Sequence, residues 1–443
     1  MRISRYAFLI EDRDGYYAYS TLSNSLLEID SEAYSFLKNL QDCKGELPDP
    51  DSLEEPFRRV MIENRILTEN DEDDYLLFKS NIMQLRAQRE SMHLTLAPTM
   101  DCCFHCHYCF EKVKGGEPMP ETVMDAIVKY VSAHKDLQSL RVTWFGGEPL
   151  MAVDGIETMY EKLVSALPDS IKYSSNIITS GYHLDNKAIG ILKKVKVSSI
   201  QVTIDGLKET HNKVKFLPEC DDVFGRVIDN IDNASASEPD MNIVIRVNLT
   251  LDNAHEYPEL YKNILQRFKG RKNVSIVPAF VLDRNSEPVK CPLFTRETMA
   301  EYIFKLTSLN IDSPFIRYPK PFFTECAIRN ANAVSFDPEG YAYKCWENIG
   351  NKDYAVWKLN EDGIPVNVNV KLLNRHMYGA DPFDDPVCAK CKYLPICGGG
   401  CPLQRIENQF EGKHNDLCTC YKGNIKDFMK IHIERKKAGL YNY

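Results

Sequence analysis

The sequence predicts an α/β chain built on a partial (β/α)6 barrel, with a small module before it and a cysteine-rich domain after it. Three observations carry this expectation. Strand-like and helix-like segments alternate six times between residues 93 and 309, the pattern of a parallel β/α architecture. Three cysteines, Cys102, Cys106 and Cys109, follow the first of those strands at a CxxxCxxC spacing. Seven more, Cys326, Cys345, Cys388, Cys391, Cys397, Cys401 and Cys418, fall at ligand-like spacings in the last third of the chain.

Residues 1–92 are expected to form a module of their own. Residues 6–10, an R-D-G turn at 13–15, and the runs Y-Y-A-Y-S-T and L-L-E-I-D read as a short meander of strands. Ser31 is the expected N-cap of S-E-A-Y-S-F-L-K-N-L, Asp51 or Ser52 starts a second helix, and a third is expected from 73 to 89. A few strands followed by helices, remote in sequence from the cysteines, describe a winged-helix-like binding module rather than a place of chemistry.

From 93 to 309 the strands are expected at 93–98, 139–145, 174–179, 197–204, 242–250 and 274–281, with amphipathic helices such as 121–134 and 154–167 between them. Right-handed crossovers in such a TIM-like barrel place the C-terminal end of every strand at one mouth. The cysteine loop follows the first strand, so it sits there. The second strand ends in W-F-G-G-E-P-L, where Gly146 and Gly147 allow close backbone approach and Glu148, before Pro149, offers a carboxylate or its neighbouring carbonyls to an ammonium group. The third ends in T-S-G, with Ser180. The fourth runs into Asp205, Gly206 and then His211, and the fifth carries Arg246 and Asn248 on one face by their spacing of two. Taken singly these have plainer readings: a glycine pair before E-P is a turn, S-G is a loop, and an arginine in a strand is half of an ion pair.

The chemistry of the cysteines narrows the class. Three thiolates on a four-iron cube leave one iron without a protein ligand, and that open iron is where chemistry can occur. A structural zinc site closes with four ligands, which an isolated triplet does not supply. With 443 residues, 44% hydrophobic and 26% charged, the composition is that of an ordinary globular protein. The net charge of -9 argues against general nucleic-acid or anionic-membrane binding. No apolar run approaches the roughly 20 residues that span a bilayer. The first residues hold too short an apolar segment for a secretory signal, so a cytoplasmic protein is expected. In a reducing compartment thiols are left to bind metals. Of fifteen cysteines, five, Cys43, Cys103, Cys220, Cys291 and Cys420, stand outside these spacings and read as small buried hydrophobes or bystanders.

The CxxxCxxC with Tyr108 before its last cysteine resembles the motif of radical S-adenosylmethionine enzymes. That resemblance implies a 4Fe-4S cluster on Cys102, Cys106 and Cys109, S-adenosyl-L-methionine on the free iron, and Tyr108 near the adenine. G-G-E-P then resembles the family segment that binds the methionine amine, T-S-G the ribose contact with Ser180 in place of an amide, and Arg246 a residue near the cofactor. Cys103 departs from the commoner pattern, leaving either a slipped ligand set or a spare thiol. The spacing Cx13Gx4C, gap, Cx2Cx5Cx3C, gap, C is similar to the SPASM extension of these enzymes. It implies two auxiliary 4Fe-4S clusters, three clusters in all: a nearer one on Cys326, Cys345 and Cys401, and a farther one on Cys388, Cys391, Cys397 and Cys418. Seven cysteines leave one of eight iron positions open, and Cys420 is the local alternative.

What the resemblance implies for domains and function follows. Residues 1–92 resemble a leader-recognition element of enzymes that modify ribosomally made peptides, 93–309 the radical S-adenosylmethionine barrel, and 310–443 the SPASM domain. The expected activity is a peptide maturase, forming a thioether or carbon–carbon crosslink in a precursor bound through its leader and drawing electrons from a donor such as flavodoxin or ferredoxin. An anaerobic sulfatase-maturating enzyme shares both cysteine motifs, and a non-catalytic multi-cluster electron carrier would have no use for G-G-E-P. Asp205, Asp221 and Asp222 are the candidate bases.

Overall fold

The computed structural model describes residues 1–42, 53–111, 113–282, 291–321 and 326–440. The N-terminal strands are β1 (Arg2–Ile3), β2 (Ala7–Asp12), β3 (Gly15–Ser20) and β4 (Leu26–Ile29), followed by α1 (Ser31–Asp42), α2 (Glu55–Glu63), β5 (Leu67–Thr68) and α3 (Asp71–Ala87). Strands β2, β3 and β4 form an antiparallel meander in that order, and β1 pairs with β5. The cap of α1 is Asp30 rather than Ser31, because the Asp30 Oδ1 accepts from the Ala33 amide at 2.7 Å. Helix α2 starts at Glu55, where Pro56 suits the first turn; the expected starts at Asp51 and Ser52 lie outside the described residues. Helix α3 runs two residues ahead of its expected span, opening on four acids at the positive end of its dipole.

The alternating part follows as expected, with strand ends shifted by two residues at most. It comprises β6 (Ser91–Leu96), α4 (Glu121–Ser132), β7 (Ser139–Trp144), α5 (Val153–Ala166), β8 (Lys172–Thr179), α6 (Asn186–Lys194), β9 (Val197–Ile204), α7 (Lys208–Val214), α8 (Val223–Ser237), β10 (Asn242–Leu249), α9 (Tyr257–Arg267) and β11 (Val274–Phe280). Strands β6 to β11 pair in parallel in sequence order, the sheet of a partial barrel. Within β10, Ile245, Val247 and Leu249 are buried while Arg246 and Asn248 between them are half-buried. The period of two thus sends aliphatic side chains to one face and polar ones to the other.

The chain ends with α10 (Arg296–Ser308), α11 (Pro314–Arg317), β12 (Ala333–Phe336), β13 (Tyr341–Tyr343), β14 (Trp357–Leu359), β15 (Pro365–Val366), α12 (Val370–Tyr378), α13 (Pro386–Ala389), α14 (Leu394–Cys397), α15 (Pro402–Phe410) and α16 (Ile425–Lys437). Strand β12 pairs in parallel with β6 and carries β13 to β15 beyond it, so the sheet has ten strands. Sequence periodicity did not show these additions, because each is only two to four residues long.

Two compact units result. One gathers Met1–Ala87, Arg296–Cys326 and Tyr378–Tyr443, and the other Gln88–Thr295 and Ala327–Met377. In the first unit Tyr75, Phe78 and Ile82 of α3 share an apolar cluster with Phe383 and Leu394. A buried ion pair joins Arg86 to Asp381, whose carboxylate also accepts from the Phe383 amide at 3.0 Å. The N-terminal helices therefore fold with the cysteine-rich segment. Among the described residues no helix is long and apolar enough to cross a membrane.

Candidate active site

The second unit holds a cavity of about 290 Å³ at the C-terminal ends of the parallel strands. Its walls bring together Cys102, Cys106, Tyr108 and Cys109 from the loop after β6, Gly146, Gly147 and Glu148 after β7, Ser180 after β8, and Arg246 and Asn248 of β10. Pro149 is buried as the first residue of the short turn that follows Glu148.

The glycine pair is required by packing. A Cβ on Gly146, whose φ is +110°, would stand 2.5 Å from the Thr99 carbonyl oxygen, and one on Gly147 would stand 2.2 Å from that of Asp101. The Gly147 amide donates to Thr99 O at 3.2 Å and the Glu148 amide to Asp101 O at 2.8 Å. Bare backbone thus lets the end of β7 seat against the entrance to the cysteine loop.

Glu148 is 1% exposed and its carboxylate is fully occupied. Oε1 accepts from Thr179 Oγ1 at 2.6 Å and the Leu150 amide at 3.1 Å, while Oε2 accepts from the Ser180 amide at 2.8 Å and Ser180 Oγ at 2.5 Å. The carboxylate is thus a tie between the ends of β7 and β8.

A buried network that the motifs alone did not reveal borders the cysteines. The Lys215 Nζ donates to Asp205 Oδ2 at 2.7 Å and lies 3.4 Å from the Tyr108 hydroxyl and 3.8 Å from Cys106 Sγ. Tyr108 also donates to the Asp205 carboxylate. Burial opposes the charge on Asp205, but the Lys215 ammonium outweighs it and holds the carboxyl below its ordinary value. Burial and the Lys215 charge push His211 down to about 3, so it is neutral and its Nδ1 accepts from the Asp205 amide at 3.3 Å. As a base Asp205 is therefore spent, and it does not line the cavity. Asp222 caps α8 and pairs with Lys208, and Asp221 is likewise absent from the cavity wall. Among the described residues the carboxylate groups that do line it, besides Glu148, are Glu111 and Glu347. Burial raises Glu111 to about 8.

Sequence reasoning also missed Gln201 and Thr203, Lys114, and the rings Phe110, Phe145 and Trp346. Phe145 stacks on Phe110 at 6.2 Å and on Trp346 at 5.7 Å. The strand period would have found Gln201 and Thr203, as it found Arg246 and Asn248. Lys215 follows His211 by four residues, one helical turn. Among the described residues Arg246 forms no ion pair, and its Nε donates to Asn248 Oδ1 at 3.1 Å.

The thiols suit a bound cluster in their chemistry. Hydrogen bonding from Cys103 brings Cys102 down to about 7, while burial raises Cys106, and Cys109 to about 11. Iron binding to three thiols lining one cavity would release their protons. Among the described residues no group of three or more His, Cys, Asp or Glu side chains gathers tightly enough to hold a single metal ion. In the first unit, Arg405 is 5% exposed and donates to Cys388 Sγ at 3.4 Å, to Asp385 at 2.8 Å and to the Gly399 carbonyl at 3.1 Å. Lys422 Nζ lies 3.1 Å from Cys418 Sγ. Cations at two of these thiols fit thiolate ligands, and burial raises Cys397, with smaller contributions from Cys418 and Cys391. Cys326 and Cys401 belong to the first unit and Cys345 to the second.

The mouth of the parallel β/α sheet thus carries three cysteines in one cavity. Residues 96–264 match the family described as the Radical SAM superfamily, so the chain carries a radical SAM domain. It is 21% identical over 374 residues to the cysteine-type anaerobic sulfatase-maturating enzyme of Clostridium novyi (strain NT), covering 78% of this chain and 96% of that protein. In structure it resembles native anSMEcpe with bound AdoMet and Cp18Cys peptide, with a TM-score of 0.57 and 19% identity over 77% of this chain and 97% of that one. It also resembles Streptococcus suis SuiB bound to S-adenosylmethionine, with a TM-score of 0.54 and 15% identity over 94% of this chain and 100% of that one. The structural likenesses establish the shared fold.

Proposed function

We propose that this chain is a radical S-adenosylmethionine maturase that acts on a ribosomally made precursor peptide and installs a crosslink, a thioether in the favoured case. The observation that carries the reading is the cavity in which Cys102, Cys106 and Cys109 meet the Gly146, Gly147 and Glu148 segment and the polar face of β9 and β10. When bound, the cluster and S-adenosylmethionine supply a 5′-deoxyadenosyl radical by one-electron reductive cleavage. The chain's own residues hold and orient. Glu148 keeps the ends of β7 and β8 together so that their carbonyls and Ser180 present a fixed surface. Arg246 and Asn248, locked to each other, form the polar wall beneath. The stacked Phe110, Phe145 and Trp346 exclude water from one side.

The peptide is the finer part of this reading. Strand β4 is an edge of the meander with no strand beyond it among the described residues. An extended leader can add there by main-chain hydrogen bonds, bringing the following core to the barrel. The likeness to SuiB extends over 94% of the chain, against 77% for anSMEcpe, which supports a module beyond the shared barrel. The seven C-terminal cysteines are assigned to two auxiliary clusters, which would take the electron left when the new bond closes. Flavodoxin or ferredoxin would serve as donor. The relative from Clostridium novyi, matched over 96% of its length, favours sulfatase maturation as the second reading.

The deciding measurement is mass spectrometry of short cysteine-bearing peptides encoded beside the gene, incubated anaerobically with the reconstituted protein, dithionite and S-adenosylmethionine. Loss of two hydrogens, with the cysteine no longer open to alkylation and no product from the Cys→Ser peptide, is expected. Formylglycine in a sulfatase-derived peptide, with the precursors untouched, would overturn the reading.

A further inference from the structure

Lys215 is 3% exposed and is one of the residues that line the cavity. Its ammonium sits under the rings of Phe104 and Tyr108, at 5.9 and 6.0 Å from their centroids, and reaches Asp205, Tyr108 and Cys106. A lysine buried this deeply is costly unless paired. Asp205 supplies the pair, and the bond to its buried carboxylate fixes where the positive charge stands. Asp205 is itself anchored, its amide donating to His211 and its carbonyl accepting from Asn253 Nδ2 at 2.7 Å. The charge cannot swing away from the sulfur without breaking its bond to Asp205.

We propose that Lys215 is a positioning residue that acts on the cluster through Cys106: its fixed positive charge at the sulfur sets the potential at which a cluster held there accepts an electron. The proposal rests on the reading that Cys102, Cys106 and Cys109 are the cluster's ligands. Reduction adds one negative charge to the cluster and its thiolates. A cation held at one sulfur stabilises the reduced form more than the oxidised form, and hydrogen bonds to cluster sulfurs act in the same direction. Asp205 partly offsets this, its opposing charge acting on Cys106 less strongly than that of Lys215. The two side chains therefore make opposite predictions, which a merely structural pair would not.

The test is an anaerobic redox titration of the reconstituted full-length chain, followed by electron paramagnetic resonance. The site cluster is identified as the signal that changes on adding S-adenosylmethionine. Lys215→Met is expected to lower the midpoint so that the reduced-to-oxidised ratio at a fixed potential falls about tenfold, a shift of about 59 mV for one electron. Lys215→Arg should restore most of it, and Asp205→Asn should move the midpoint the other way. Iron content and S-adenosylmethionine affinity are measured on every variant. Unchanged midpoints in Lys215→Met and Asp205→Asn overturn the proposal, as does a loss confined to S-adenosylmethionine affinity, which would make Lys215 a cofactor ligand. Should Lys215→Met not fold, the sign of the Asp205→Asn shift decides alone. The underlying assignment fails separately, if Ala at Cys102, Cys106 and Cys109 together leaves the iron content of the protein unchanged.

Discussion

Glu148 offers the sharpest test of what the G-G-E-P segment does. Replacing it with Gln keeps size and shape but turns one acceptor oxygen into an NH2 group. The hydroxyls of Thr179 and Ser180 can rotate to accept from that amide, whereas the main-chain amides of Ser180 and Leu150 cannot. One buried N–H therefore loses its acceptor and the remaining bonds lose their charge. An orphaned buried donor costs about 1–3 kcal/mol, so about 2 kcal/mol is expected for the local tie between β7 and β8. In native-state hydrogen exchange of the cluster-free protein, that is a roughly 30-fold loss of protection at Ser180 or Leu150, with distant amides of β10 unaffected. The reasoning is refuted if both amides keep wild-type protection while S-adenosylmethionine binding collapses. The carboxylate would then serve the ligand directly.

Two further outcomes follow from burial and strand geometry. The Ser20 amide donates to Ser25 O, which puts the alternating Leu26 and Glu28 amides of β4 on its open edge. Glu28→Pro should weaken precursor binding about tenfold or more without slowing peptide-independent S-adenosylmethionine cleavage, and equal affinity measured by fluorescence anisotropy would exclude this edge. His376 is 1% exposed, and both of its ring nitrogens lack hydrogen-bond partners among the described residues. Burial, with Lys344 and Arg329, lowers it to about 4. Its folded value is depressed below the unfolded 6.5, so its contribution is whole above pH 6.5 and is lost as pH falls toward 4, by up to about 1.4 kcal/mol per pH unit. His376→Phe should flatten that acid slope in urea titrations of the cluster-free protein. Parallel slopes for variant and wild type would show that other groups set the acid limit.

How much of this was readable beforehand differs by element, for physical reasons. The six parallel strands and their helices were legible because each buries one face, and burial writes a period of two or of 3.6 into the side chains. The glycine pair was legible as a place of close approach, although what approaches is the peptide of residues 99–101 rather than a ligand alone. Strands β12 to β15 were not, since two to four residues carry no period. Nor was the union of α3 with the cysteine-rich segment, which depends on Tyr75 meeting Phe383 across 308 positions of sequence. The Asp205 and Lys215 pair was half legible. Asp205 was noticed as a candidate base, but only its partner shows that it is ionised, occupied and turned from the cavity. Ser31 against Asp30 is a smaller case of the same kind, where two adjacent residues could each cap a helix and only geometry chooses.

The two buried carboxylates illuminate how this mouth is built. Glu148 is balanced by uncharged donors and joins β7 to β8, while Asp205 is balanced by a cation and joins the end of β9 to the cysteine loop through Tyr108 and Lys215. The glycine pair joins the same loop to β7, and Asn253 bridges β9 to β10 by donating to the carbonyls of Asp205 and Asn248, at 2.7 and 2.9 Å. The strand ends and the loop are thus tied in series around the cavity. Loops carry most functional residues and are ordinarily the least fixed parts of a fold. Here the ties convert loop residues into a rigid frame, so that binding spends little on ordering the site. Breaking any one tie should loosen its neighbours before it unfolds the barrel, because each shares a residue or the cysteine loop with the next and the aliphatic faces of β9 and β10 remain buried behind them.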